Sequence, residues 1–521
     1  MSGTTTEADS TGRARTYAGW QEDKVAFIFG LSGQRTVMIG VAVLCAVWPL
    51  VISDLTAGLV LWPVAGVGAG LAFLRIGGRT VDEWFAAAVS YWLGAFRGTH
   101  KFVSAAFAPD DAADPVAAKP MDLPGILAPI RILEAELRPG TPIAVVHHRH
   151  DRTYTAVARI RVPGIGLVDS ARREARVAGW GGLLSGLCTE GNPIVRVQAL
   201  QRIVPESGAA LHRWHADHLS PNAPPAAVAV TSGLLATATL ATSQREAYLA
   251  FTMDERRAGS AVKNAGGGPA GAAAVLVRHL RALSSAVQGA DLHVDAWLAA
   301  RDLAEVLRTG FDPHAGRPLA ERRATAVAAD SVGADHAGLA SGVDPALAGP
   351  AGAEARPGYY AHDGAHSVTY WVHSWPRHEV FSTALAPLLG EGGHRRAFSL
   401  HVEPLGPRAA EREVMRERTA RHVAIRMREH TGQIVPEHET KALVQAAAQD
   451  RERAAGHGLV RFCAYATVTV TDLGELEDAC AALEADAAAA RIELRRMWFA
   501  QDIGFALSCL PVGMGLPRKR W

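Results

Sequence analysis

The sequence has few cysteines, and none of them lies within four residues of another. An odd number of widely spaced cysteines argues against a disulfide framework and against a structural zinc site. One of them falls within a long apolar run. We therefore expect most of the chain to fold in a reducing compartment. The cysteines are Cys45, Cys188, Cys463, Cys480 and Cys509.

The chain also lacks an excess of either charge. Lys+Arg number 53 and Asp+Glu number 52, which gives a formal net charge of +1. This balance argues against strong direct binding of nucleic acid by bulk electrostatics. The 521 residues are 49% hydrophobic, which is typical of a folded chain with two or three structural units.

No string in the sequence carries a recognisable catalytic motif. Two glycine-rich strings, 266–273 (GGGPAGAA) and 30–36 (GLSGQRT), lack the Lys-Ser/Thr pair that a phosphate-binding loop requires. Neither His-Glu-x-x-His nor Gly-x-Ser-x-Gly occurs. We therefore predict that the chain is not an enzyme, hydrolyses no nucleotide and holds no cofactor.

Two histidine groups are the candidates for a metal site. Three residues at helical spacing could place two imidazoles on one face, and three more lie at a predicted hairpin turn. Solvent-exposed histidines explain both patterns more simply, so we predict no metal site. The first group is His212, His215 and His218; the second is His147, His148 and His150.

Two adjacent charge-free runs near the amino terminus, 36–52 and 55–74, predict a transmembrane helical hairpin. Arg35 precedes the first run, and Arg75 and Arg79 follow the second. Under the positive-inside rule these arginines set the topology, with both termini in the cytoplasm. The alternative is a buried helical hairpin in a protein that does not cross the membrane.

Small residues recur at a spacing of four in both runs. Gly66 and Gly70 form one pair, and Ala42 and Ala46 form the other. Such pairs let helix backbones approach closely. We expect them to pack the hairpin together, with docking of a partner subunit as the alternative.

Changes in residue composition and pattern along the chain define its predicted structural units. Strand-helix-strand patterns predict an α+β fold in which a large cytoplasmic mixed α/β region contains ferredoxin-like lobes. The aromatic helix after the hairpin either lies along the bilayer or begins the core. The predicted units are a polar lead-in (1–35), the hairpin (36–76), a juxtamembrane helix (77–107), a linker (108–120), a first lobe (121–323), a flexible loop (324–358) and a second lobe (359–521).

Two regions resemble known families. Residues 20–105 resemble the PrgI-like membrane subunit of conjugation systems, through the hairpin and the following RIGGRTVDEWFAAAVSYWLGAF. Residues 121–516 resemble the amino-terminal, non-motor domain of VirB-type conjugation ATPases. The strings that carry the second resemblance are YWVHSWPRHEV, FSLHVEPLGPRAAEREV, GHGLVRFCAYATVTV and ELRRMWFAQDIGFALSCLPVG.

The resemblances imply a subunit of a type IV secretion or conjugation-like system. The whole also looks like a family of actinobacterial membrane proteins with this two-part layout. The implied role is a multi-pass inner-membrane scaffold that docks a separate P-loop ATPase. Its partners would be the lipid bilayer, that ATPase and other membrane subunits, within an oligomeric complex. The alternatives are an EccE-like component of type VII secretion and a membrane-bound enzyme of unknown activity.

Overall fold

A computed structural model describes most of the chain. The described residues are 33–52, 55–73, 75–76, 79–107, 121–161, 168–205, 209–220, 222–240, 243–331, 341–376, 380–390, 393–430, 432 and 434–515.

The helices in this part of the chain range from a single turn to nearly seven turns. They are α1 (Gly33–Ile52), α2 (Leu55–Phe73), α3 (Val81–Phe96), α4 (Ser170–Leu187), α5 (Ala209–His218), α6 (Pro225–Leu240), α7 (Gly259–Asn264), α8 (Gly268–Gly289), α9 (Ala300–Phe311), α10 (Gly316–Ser331), α11 (Ala386–Leu389), α12 (Pro407–His430), α13 (Glu437–Ala454), α14 (Leu476–Ala489) and α15 (Gln501–Cys509).

The strands form one small ribbon and one large sheet. The ribbon pairs β1 (Arg75–Ile76) with β2 (Arg79–Thr80). The sheet strands are β3 (Lys101–Val103), β4 (Ile130–Arg138), β5 (Thr141–His148), β6 (Thr153–Arg161), β7 (Ile194–Pro205), β8 (Ser243–Asp254), β9 (His293–Trp297), β10 (Gly352–Ala355), β11 (Tyr360–His362), β12 (Ala365–Ser374), β13 (Arg395–Leu405), β14 (Leu459–Val470) and β15 (Glu493–Arg496).

The large sheet is antiparallel and has 13 strands. Its order is β3-β10-β11-β12-β14-β13-β7-β8-β6-β5-β4, with β15 beside β12 and β9 beside β6. The predicted hairpin around residues 148–152 is confirmed as β5 and β6. Both halves of the chain contribute to this one sheet, and the segment 324–358, expected as a flexible loop, contains β10.

The sheet order reveals an internal duplication. Starting from the centre, β7-β8-β6-β5-β4 on one side is matched by β13-β14-β12-β11-β10 on the other. The helix that follows the last strand of each unit carries a similar sequence, ARDLAEVL at 300–307 and AQDIGFAL at 500–507. Asp291 and Arg491 occupy the same turn in the two units, with φ of 54° and 55°. Two related units therefore form the sheet.

Equivalent contacts support this relationship. Leu200 of β7 lies opposite Ser399 of β13 at the centre of the sheet. In the first unit, the hydroxyls of Thr155 and Thr252 are 2.9 Å apart. In the second unit, the hydroxyls of Ser367 and Thr469 are 2.7 Å apart. An approximate two-fold axis perpendicular to the sheet thus relates the two units.

The alternation of side chains across the strands separates two hydrophobic layers. On one face, α4 and α8 pack on the first unit, and α11 and α14 pack on the second. On the other face lie α9, α15 and the segment 510–514. The fold is therefore α+β, with one antiparallel sheet between two layers of helices.

The predicted transmembrane hairpin (36–52, 55–74) is wrong. Within the described residues, no helix has the length and apolar character needed to cross a membrane. Helix α1 begins before Arg35, so its charge-free part rises only about 25 Å, short of the roughly 30 Å of a bilayer core. Helix α2 ends at Phe73 and contains Pro63. The predicted multi-pass inner-membrane localisation is corrected for the same reason.

Candidate interaction surface

The first two helices pack through small side chains. Ala42 of α1 and Ala65 of α2 are buried. A Cβ on Gly68 would lie 3.7 Å from the Cβ of Ala42, so these backbones are close. The Trp62 indole N–H donates to the carbonyl of Ala46 at 3.2 Å. The helix pair is therefore held by close small-residue contacts and one side-chain hydrogen bond.

Of the four residues predicted to pack helices, Ala42 and Ala46 thus lie at the α1–α2 contact. Gly66 and Gly70 lie on α2, where an added Cβ would meet no atom within 4 Å. Arg35 lies in the first turn of α1, and Arg75 and Arg79 lie in the β1–β2 ribbon. The role predicted for these arginines required a spanning hairpin, which is corrected above.

Helix α3 is anchored to the sheet domain by one aromatic face. Trp84 lies 6.0 Å from Phe499, edge to face, and Tyr91 lies 5.6 Å from the same ring. The Tyr91 hydroxyl donates to the carbonyl of Ala355 at 3.1 Å. Burial raises the pKa of Tyr91 above its ordinary value. The neutral phenol therefore remains a donor at physiological pH.

A second face of α3, roughly 100° around the helix from Trp84 and Tyr91, carries a stripe of large apolar side chains. Phe85, Val89, Trp92 and Phe96 follow one another at helical spacing. Phe85 is 70% exposed, Trp92 is 63% exposed and Phe96 is 93% exposed. Exposed aromatic side chains concentrated on one helix face are typical of interaction sites.

Helices α1 and α2 extend this exposed surface. They contact α3, and they expose further large apolar side chains: Val41, Val43, Leu44, Val47, Trp48, Leu50, Val51, Ile52, Leu59, Val60, Trp62, Val64 and Val67. We call the exposed face of α1, α2 and α3 the apolar surface. An exposed surface of this apolar character is typical of a docking site.

The histidine candidates do not converge. His147 stacks on Tyr154, with ring centroids 4.5 Å apart. His148 accepts the backbone N–H of Asp151 at 3.1 Å, and burial lowers the pKa of His148. His218 stacks on Trp214 at 4.5 Å, while the side chain of His212 lies outside the described residues. Within the described residues, no three His, Cys, Asp or Glu side chains are placed to share a metal ion.

A buried polar seam, which the sequence did not predict, crosses the centre of the sheet. Gln198 Nε2 donates to Leu510 O at 2.9 Å, and its Oε1 accepts the N–H of Gly513 at 3.0 Å. Arg196 Nη1 donates to Gly513 O at 2.7 Å, and its Nη2 lies 2.8 Å from Glu403 Oε1. These bonds hold the segment 510–514 on the first unit. Polar residues at alternate positions of β7 are the only signal for this seam in the sequence.

The comparison with protein families gives one match. Residues 241–372 match the family described as "Putative type VII ESX secretion system translocon, EccE". The matched range covers β8 to β12, so it joins the two units, and it is less than half of the chain. No curated protein matches the chain.

This match agrees with the predicted class, a secretion-system component, and favours the type VII alternative over the type IV reading. The resemblance to PrgI-like subunits and to VirB-type ATPases remains a prediction.

Proposed function

We propose that this chain is a non-catalytic subunit of a type VII-like secretion translocon and binds neighbouring subunits through its apolar surface. The match of residues 241–372 to a translocon family carries this proposal. A separate P-loop ATPase is the partner that we expect among those subunits.

The anchoring of α3 supports the assignment. Trp84 and Tyr91 fix one face of α3 against Phe499, while Phe85 and Trp92 remain exposed. A partner that covers the outer face would therefore be held rigidly with respect to the sheet. Burial of two such aromatic side chains contributes several kcal/mol, of the order needed for specific association.

The test is affinity purification of the full chain from a mild-detergent lysate of its native cells, followed by mass spectrometry. We expect type VII translocon subunits with the wild type and their loss with the Phe85→Ser/Trp92→Ser double variant. The control is Ile434→Ser, because Ile434 is also an exposed large apolar residue but lies between α12 and α13. A wild-type chain that is recovered alone would contradict the proposal, and recovery of a VirB-like ATPase without type VII subunits would favour the type IV reading.

A further inference from the structure

The two ends of the large sheet are not equivalent. The duplication makes the order of ten strands symmetric about the β7–β13 pair, from β10 at one end to β4 at the other. Beyond β10 lies one additional strand, β3. Beyond β4, the described residues contribute no strand. The outer edge of β4 is therefore the position at which the symmetry of the sheet is incomplete.

The register identifies the matching residues. In the first unit Ile130 of β4 lies opposite His148, and in the second unit Ala353 of β10 lies opposite His362. Both histidines end the strand that precedes the turn into β6 or β12. On its outer edge, Ala353 pairs with Phe102 of β3 in antiparallel register. The start of β4 around Ile130 thus has the geometry of an edge that accepts an antiparallel strand in the other unit, and Glu134 and Glu136 lie further along the same edge.

A groove follows this edge. Its volume is about 420 Å³, and it lies between Glu134–Glu136 of β4 and one side of α8. The α8 wall is formed by small and apolar side chains, followed by two arginines at its far end. The side chain of Arg281 on α8 donates to the carbonyl of Leu137 at 2.6 Å. A donor on α8 therefore bonds a backbone acceptor near the end of β4. The α8 residues are Ala270, Ala273, Ala274, Val277, Arg278 and Arg281.

Charge argues against the registers of a symmetric β4–β4 pair that bring the glutamates of the two copies together. Glu134 and Glu136 are both exposed and point to the same face of β4. A symmetric β4–β4 pair centred on either glutamate, or on Ala135 between them, places glutamates directly opposite each other. Like charges in directly opposed positions are destabilising. A strand with basic side chains at these positions is instead attracted.

We propose that an extended segment of another protein, with alternating basic and small apolar residues, adds antiparallel to the outer edge of β4. Its backbone continues the sheet, as in other complexes formed by strand addition. Its basic side chains face Glu134 and Glu136, and its apolar side chains face Ala273 and Val277 of α8. Arg138 lies two positions beyond Glu136 on the same face of β4, so basic residues of the partner are favoured opposite the glutamates and not beyond them.

This inference goes beyond the proposed function, because β4 and α8 are separate from the apolar surface of α1–α3. The Phe85→Ser/Trp92→Ser variant leaves β4 unchanged, so failure of one proposal is distinguishable from failure of the other.

The test uses the full chain and a fluorescent nine-residue peptide of alternating valine and lysine, measured by fluorescence anisotropy. We expect saturable binding that the Glu134→Lys/Glu136→Lys variant weakens at least tenfold. The control, Glu411→Lys/Glu429→Lys, makes the same change in net charge on exposed positions of α12 and is expected to bind as the wild type does. A valine–glutamate peptide should bind the Glu134→Lys/Glu136→Lys variant better than the wild type.

A second peptide separates strand addition from simple charge attraction. Methylation of alternate backbone nitrogens removes ladder donors and preserves every charge. We expect it to weaken binding at least tenfold, and equal binding of both peptides would overturn the proposal. A wild-type chain that is dimeric in solution and becomes monomeric on saturation with the peptide would also overturn it, because the edge would then belong to a second copy.

Discussion

Arg202 and Glu246 form an ion pair across neighbouring strands β7 and β8, with Nη2 and Oε2 2.5 Å apart. Arg202 is buried and also donates to the carbonyl of Val306 at 2.8 Å. Burial alone would raise the pKa of Glu246, but the charge and hydrogen bonds of Arg202 hold it below its ordinary value. Arg202 therefore connects the sheet to α9, and the carboxylate of Glu246 compensates its buried positive charge.

We expect Glu246→Gln to lower the free energy of unfolding by about 3–5 kcal/mol, because it leaves the Arg202 guanidinium buried without an anion. Urea unfolding followed by circular dichroism measures the change. The control is Glu321→Gln, which removes the partner of Arg317 in an exposed pair 2.9 Å apart and should cost less than about 1 kcal/mol. Equal effects of the two variants would show that the buried pair has no special role.

The contact of Gly513 with the first unit gives a second prediction. Gly513 has a φ of +66°, and a Cβ there would meet the hydroxyl of Thr252 and lie 2.5 Å from Thr155 Oγ1. We expect Gly513→Ala to destabilise the fold by about 3 kcal/mol through overpacking and backbone strain. Gly182→Ala is the control, since Gly182 lies in α4 and an added Cβ meets no atom within 4 Å. That control should be neutral or slightly stabilising in the same unfolding measurement.

Strands with regular alternation could be predicted from the sequence. The alternation over 460–470 predicts a strand, and it is found as β14, where Ala464, Ala466 and Val468 are buried on one face. Strand β7 was not predicted, since Arg196, Gln198 and Arg202 occupy its buried positions and interrupt the apolar pattern. Their partners lie far away in the chain, at Glu403, Gly513 and Glu246, so the compensation of buried polarity depends on tertiary structure.

The duplication was missed for a related reason. The residue pattern of 292–307 predicts one helix, but the segment contains β9 and the start of α9. In the second unit, the pattern of 492–507 predicts a strand followed by a helix, and these are found as β15 and α15. The strings HVDAW and ELRR share no residue pattern, and the pairing of these strands with β6 and β12 shows that they are equivalent. The apolar side chains of α3 can be seen in the sequence, but the sequence does not show which face of this helix is buried.

The two faces of α3 should respond differently to substitution. Phe499→Ala removes the ring that packs against Trp84 and Tyr91, so we expect faster hydrogen–deuterium exchange in α3. Phe85→Ser changes an exposed position and should leave exchange in α3 within twofold of the wild type. Mass spectrometry of the exchanged chain after digestion measures both. Protection of α3 that survives Phe499→Ala would mean that its contacts with α1 and α2 suffice to hold it.

Buried histidines predict loss of stability in mild acid. His401 is fully buried beneath α15, and its Nε2 lies 2.9 Å from the carbonyl of Leu507. Burial lowers the pKa of His401 from 6.5 to about 4. The unfolded chain therefore binds a proton that the folded chain does not, so stability present above pH 6.5 is lost as the pH falls towards 4.

At pH 5 this loss amounts to about 2 kcal/mol for His401. We expect His401→Gln to remove this part of the pH dependence, while its amide replaces the hydrogen bond to Leu507. Urea unfolding at pH 7 and pH 5 gives the difference for each variant. His293→Gln, at an exposed position of β9, is the control and should retain the wild-type difference. If His401→Gln also showed the wild-type difference in unfolding free energy between pH 7 and pH 5, the acid sensitivity would arise from other groups. His362 would be the first to test, because burial lowers its pKa to about 3.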